Sequence, residues 1–91
     1  MTCTTRVTVL GCGASGGVPR IGPDWGTCDP TESKNRRLRS SIVVEHGPNR
    51  VLIDTTPDLR QQLLNNNISE FDAVLYTHAH ADHSHGIDDM R

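Results

Sequence analysis

Thr77-His78-Ala79-His80-Ala81-Asp82-His83-Ser84-His85-Gly86 is the stretch on which the reading of this 91-residue chain turns. It spaces three histidines and one aspartate as H-x-H-x-D-H, with a further histidine two positions on. Four of the chain's five histidines therefore fall within eight residues. Imidazole and carboxylate together suit zinc, manganese or iron, whereas calcium and magnesium prefer oxygen ligands alone. His78 and His80 are two apart, and in an extended or tightly turned backbone such residues point the same way. They are placed to share one ion. Asp82 and His83 follow about one turn later and are placed to address a second. Two ions about 3.5–4 Å apart are the usual arrangement for hydrolysing phosphate esters. A polar solvent loop or an adventitious metal site is the alternative, and the multi-ligand spacing weighs against it.

The rest of the composition narrows the setting. Ninety-one residues suffice for one small domain with a modest core, and one Trp, one Tyr and one Phe leave few large side chains to anchor it. Nine basic against eleven acidic residues give a net charge of −2, so no bulk field draws the chain to nucleic acid or membrane. Cys3, Cys12 and Cys28 are odd in number and show no ligand spacing, which argues for a reducing compartment over a disulfide framework. No apolar run approaches a membrane span, and Thr2, Thr4, Thr5 and Arg6 interrupt any signal-like segment. A cytoplasmic protein is the expectation.

Read in order, Arg6–Leu10 is a β-branched, apolar strand. It runs into Gly11-Cys12-Gly13-Ala14-Ser15-Gly16-Gly17, which matches G-x-G-x-x-G. That fingerprint needs a helix straight after the glycines to hold a pyrophosphate. Here Pro19, Gly22, Pro23 and Gly26 follow, so a nucleotide-cofactor site is not expected and the glycines serve a sharp turn. Trp25 lies in the following loop and fits either the wall of a pocket or a plug at the edge of the core. Lys34–Arg39 collects four of the nine basic residues. It reads as a solvated loop ahead of an anion-facing patch, because charge runs are mostly surface.

Ser40–Glu45 and Val51–Asp54 read as a hairpin around a four-residue turn, Gly47–Arg50. The unbroken apolar run Val51–Ile53 predicts a strand buried on both faces. Thr56 as cap, Pro57 at the first helical position and Asp58 beside the positive dipole end predict a helix. Its stripe is Leu59, Leu63 and Leu64, and Asn65–Asn67 ends it. Phe71–Tyr76 is the last strand and delivers the chain into the histidine stretch. Gly86–Arg91 is compatible with the start of another helix. Chemistry at the C-terminal end of a strand is where α/β folds place it.

Thr77–His83 resembles the signature of the metallo-β-lactamase superfamily of metal-dependent hydrolases. Leu52-Ile53-Asp54 resembles the strand-end aspartate of that superfamily, which supports the metal loop from behind. Gly11–Pro19, Asp24-Trp25-Gly26 and Asn35-Arg36-Arg37 resemble its PhnP-like cyclic phosphodiesterase branch, so the resemblance extends over nearly the whole chain. It implies an α/β (α+β) fold, a four-layer αββα sandwich of which residues 1–91 form the N-terminal part of a single domain. It implies two divalent metal ions, zinc or manganese. His78 and His80 are then ligands of the first ion, Asp82 and His83 ligands of the second, with Asp82 also the catalytic residue. A water or hydroxide bridging the ions attacks phosphorus. The resemblance further implies that a third histidine, a bridging aspartate and a last histidine come from sequence beyond Arg91, so the chain alone is expected to carry half a site and to be inactive. Only Cys28 stands where the branch clusters cysteines for a structural zinc, so no such zinc is expected. His85 falls outside the ligand pattern and reads as a polar loop residue.

The expected partner is a small cyclic or nucleotide-like phosphate ester, with a homodimer left open and neither nucleic acid nor membrane expected. A tRNA-processing nuclease, a thioesterase or a lactonase of the same superfamily shares the motif. A non-catalytic metal-binding remnant is the reading from a different class, and metal stoichiometry separates it from an enzyme.

Overall fold

The computed structural model of the protein describes residues 4–90, so Cys3 and Arg91 lie outside the described residues. A four-stranded sheet runs in the order β1 (Thr5–Gly11), β2 (Ser41–His46), β3 (Asn49–Ile53), β4 (Ala73–Leu75). The first three strands are antiparallel. β4 lies parallel to β3, reached through helix α1 (Leu59–Asn66). A short helix α2 (Ala81–Ser84) follows β4, then a 3-10 turn, Ile87–Met90. The mixed α/β class expected from the sequence is thus what the chain adopts.

Alternation along the strands sorts the side chains onto two faces. Thr8, Val43, Leu52 and Val74 share one row across the sheet. Val43 and Leu52 are fully buried there against Leu10 and Leu59, with Leu63, Ile68, Phe71, Val74 and Met90 packed around them. The opposite face carries two aliphatic rows, Val7–Val44–Val51–Ala73 and Val9–Ile42–Ile53–Leu75. On it Val7, Val9 and Leu75 are more than half exposed. The prediction that Val51–Ile53 is buried on both faces is therefore corrected: Leu52 is buried, and Val51 and Ile53 are only half-buried on the open side.

Three local readings also change. The hairpin closes with two loop residues, Gly47 and Pro48, because His46 pairs with Asn49. Gly47 takes φ 56°, the left-handed setting that matches the twist of the flanking strands, and glycine adopts it without a Cβ clash. The helix begins at Leu59, two residues after Pro57, because Thr56 is occupied in a turn of its own. Its hydroxyl accepts the Asp58 N–H at 3.1 Å and donates to Gln62 Oε1 at 2.9 Å. Asp58 stands at the N-cap but makes no side-chain cap bond. Its carboxylate goes to Arg39 instead, accepting the backbone N–H and a guanidinium N–H at 2.9 Å each. The buried stripe of α1 is Leu59, Gln62 and the half-buried Leu63, while Leu64 is exposed. Gln62 tolerates full burial because its amide donates to Arg39 O at 2.7 Å and accepts from Thr56. The helix ends as predicted, on Asn67 in the left-handed conformation (φ 56°, ψ 44°).

The basic run is partly structural. Arg39 joins three segments, reaching Asp58 and donating through Nε to Ser15 O at 2.8 Å, while Arg36 stacks over Trp25 at 5.1 Å. At the other end of the fold Gly86 is buried, and its N–H donates to Thr55 O at 2.9 Å. A Cβ there would run into the Thr56 carbonyl oxygen. Gly86→Ala is therefore expected to lower stability by about 1–3 kcal/mol or more, as overpacking of backbone against backbone does. The urea midpoint checks this; an unchanged midpoint would mean that the two segments do not touch.

Candidate metal centre

β3 and β4 are parallel neighbours, so their C-terminal ends emerge side by side. That places Asp54, just past β3, next to Thr77, just past β4. The Asp54 N–H continues the ladder to Leu75 O at 2.9 Å, and the residue then turns to φ 69°. Aspartate tolerates this left-handed setting better than most residues, though it still costs about 1–3 kcal/mol. The turn coincides with a carboxylate that is 3% exposed and fully engaged. Oδ1 accepts the Thr77 N–H at 2.9 Å. Oδ2 accepts the Thr77 hydroxyl at 2.8 Å and His83 Nδ1–H at 2.7 Å.

The histidine stretch is stitched down by backbone contacts. Thr55 N–H donates to His83 O, and the Thr55 hydroxyl donates to Ser84 O at 3.2 Å and meets the Tyr76 hydroxyl at 2.9 Å. Ser84 Oγ lies 3.0 Å from His80 O. His80 stands at the N-cap position of α2 without a side-chain cap bond, so Asp82 and His83 stand in its single turn while His78 lies in the segment before it.

The metal-binding atoms of His78, Asp82 and His83 lie within 4.8 Å of one another. The His78 ring is tilted against that of His83 at 4.0 Å between centroids and meets His80 edge-on at 4.6 Å. His80 thus sits beside the three-residue group but outside it, and His85 is likewise outside it. With Nδ1–H given to Asp54, the lone pair of His83 is on Nε2, and it faces Asp82 Oδ2 at 3.0 Å. Two acceptor atoms at that distance need a cation to serve both, either a proton on the ring or a metal ion. Two imidazoles and a carboxylate at the rim of the sheet fit a zinc- or manganese-type ion. Thr77, Thr55 and Tyr76 were not singled out in the sequence. Thr77 stands beside the motif, but the acceptor for its hydroxyl proton is Asp54, 23 residues earlier.

A model of the beta-lactamase superfamily domain matches residues 49–91. The fold and the histidine stretch agree with it. The chain has a metallo-β-lactamase-type fold. The crystal structure of a diphosphatase from the PhnP family superposes with a TM-score of 0.89 at 50% identity, over 97% of this chain and 35% of that one. Zinc-bound PqqB from Methylobacterium extorquens superposes with a TM-score of 0.73 at 28% identity, over 97% of this chain and 34% of that one. An octanoyltransferase of Porphyromonas gingivalis is 42% identical over 87 residues, 94% of this chain but 18% of that protein. The chain thus spans about a third or less of the length of these relatives. No helix among the described residues is long and apolar enough to cross a membrane.

Burial alone pushes the Asp54 carboxyl up. The hydrogen bonds from His83 and from the Thr77 N–H and hydroxyl, with the charge of His83, outweigh it and leave Asp54 below the usual carboxylate value. A depressed value means that the folded state is favoured while Asp54 is ionised. This stabilisation is complete above the unfolded value, about 3.9, and disappears as pH falls through the lower folded value. Asp54→Asn is expected to be less stable at neutral pH and to show a flatter acid limb. Denaturant midpoints measured from neutral to strongly acidic pH check both.

Proposed function

We infer that the protein carrying this chain is a metal-dependent hydrolase that cleaves a phosphate ester or phosphoanhydride of a small, nucleotide-like molecule. The observation that carries the reading is the facing pair His83 Nε2 and Asp82 Oδ2, 3.0 Å apart, with His78 in the same cluster. The 50% identity to a diphosphatase of the PhnP family supports chemistry at phosphorus. The zinc in PqqB supports a divalent ion. Octanoyl transfer is not carried over, because only 18% of the protein bearing that name is matched.

In this reading His78 and His80 hold one divalent ion and Asp82 and His83 a second. When bound, such ions supply positive charge for phosphate oxygens and lower the pKa of a coordinated water. The chain's own residues do the positioning. Asp54 fixes His83, and α2 sets Asp82 at the mouth of the cluster, where its role extends from ligand to catalytic carboxylate. The Thr55–Gly86 contact holds the loop to the sheet. The aliphatic rows Val7–Ala73 and Val9–Leu75 suit a covering second sheet, in keeping with residues 1–91 forming the N-terminal part of one αββα domain. A reducing, cytoplasmic setting suits Cys12 and Cys28, both exposed and free.

The full-length gene product is the material for the test, since the superfamily relatives are about three times longer or more. After loading with zinc or manganese it is expected to bind close to two ions per chain. It is also expected to hydrolyse bis(p-nitrophenyl) phosphate or a nucleoside diphosphate. His83→Ala and His80→Ala are each expected to lose metal and, with it, turnover by more than about tenfold. Full activity in metal-free His83→Ala protein would overturn the reading. Metal binding with turnover of thioesters or lactones and not of phosphates would move it to another hydrolase class.

A further inference from the structure

One hydroxyl connects the buried carboxylate to the histidine that carboxylate does not reach. Thr77 Oγ1 lies 2.8 Å from Asp54 Oδ2, 3.0 Å from His78 Nδ1 and 3.5 Å from His83 Nδ1. A hydroxyl has one proton to donate and two lone pairs, while an ionised carboxylate only accepts. Two oxygens 2.8 Å apart need a proton between them, so the single Thr77 proton points at Asp54. The hydroxyl then presents a lone pair to His78, and that contact is favourable only if His78 Nδ1 carries a hydrogen. We propose that Thr77 is a positioning residue: its hydroxyl holds His78 in the Nδ1–H tautomer and leaves the Nε2 lone pair as the atom offered to the metal centre.

The same carboxylate oxygen accepts Nδ1–H of His83 at 2.7 Å. Asp54 Oδ2 therefore sets both rings, His83 directly and His78 through Thr77. Metal-binding histidines are commonly oriented by a partner on their other nitrogen, and loss of that partner typically lowers metal affinity about 10–100-fold. A hydroxyl in this place orients the second ring without adding a second buried charge. Among the described residues Thr77 Oγ1 is the side-chain hydrogen-bond partner of the His78 ring, whose other neighbours are the His80 and His83 rings. The inference rests on the metal reading for its consequence, but the tautomer itself can be read without metal.

The test is the 15N spectrum of the histidine rings in metal-free full-length protein at mildly alkaline pH, where imidazole is neutral. His78 is expected as the Nδ1–H tautomer in the wild type and in Thr77→Ser. It is expected to shift toward the Nε2–H form in Thr77→Val. Valine keeps the branched shape and the backbone N–H bond to Asp54 Oδ1 at 2.9 Å, so it removes the hydroxyl alone. Zinc affinity is expected to fall about 10–100-fold in the valine variant and to recover in the serine variant. A wild-type His78 in the Nε2–H form, or the same tautomer in wild type and valine variant, overturns the proposal. If the valine variant does not fold, the wild-type tautomer decides by itself. The expected tautomers with no zinc uptake by the wild type would support the Thr77 assignment and overturn the metal reading, so the two failures are distinguishable.

Discussion

The carboxylate of Asp54 is the constraint around which the functional end of the molecule is arranged. It is almost wholly buried and collects three hydrogen bonds, from a backbone N–H, a hydroxyl and an imidazole. A buried carboxylate is tolerable only when its lone pairs are taken, and here every donor comes from the segment that follows β4. The electrostatic requirement of one residue thus pins a loop that begins 23 positions later. Those bonds anchor the start of the loop, whose residues 77 to 81 are exposed.

Backbone packing completes what the carboxylate begins. Thr55 and Thr56 are fully buried although polar, and each hydroxyl finds partners: Thr55 in the Ser84 carbonyl and Tyr76, Thr56 in Gln62 and the Asp58 N–H. Gly86 closes against this segment because it has no Cβ. The result is a polar hinge of strand ends under the metal loop, flanked by the small aliphatic core of Leu10, Val43, Leu52 and Leu59. The sheet buries one face fully and leaves the other aliphatic and open. An open aliphatic sheet face of this kind suits a covering layer.

Much of this was legible in the residues. Strand positions followed from β-branched runs, the end of α1 from Asn67, and the site from H-x-H-x-D-H. Where reading failed, a long-range partner had displaced a local one. Asp58 has the chemistry of a helix start, yet Arg39 takes its carboxylate, while Thr56 keeps its local bond to the Asp58 N–H and the helix begins at Leu59. Leu64 has the spacing of a core residue, yet Gln62 occupies the buried position because Arg39 O satisfies its amide. Arg39 looked like part of a solvated run and instead ties the glycine turn to the helix.

The order of elements and the placement of three histidines and an aspartate at a strand end were written in the sequence alone, because periodicity, turn residues and motif spacing are local properties. Which donor faces which acceptor was not. That Asp54 turns left-handed to receive Thr77 and His83, that His78 joins Asp82 and His83 while His80 stands beside them, and that one sheet face stays open were decided only by the tertiary fold. The parallel pairing of β3 with β4 brings together residues more than twenty positions apart, and no local pattern encodes the direction in which their side chains then point.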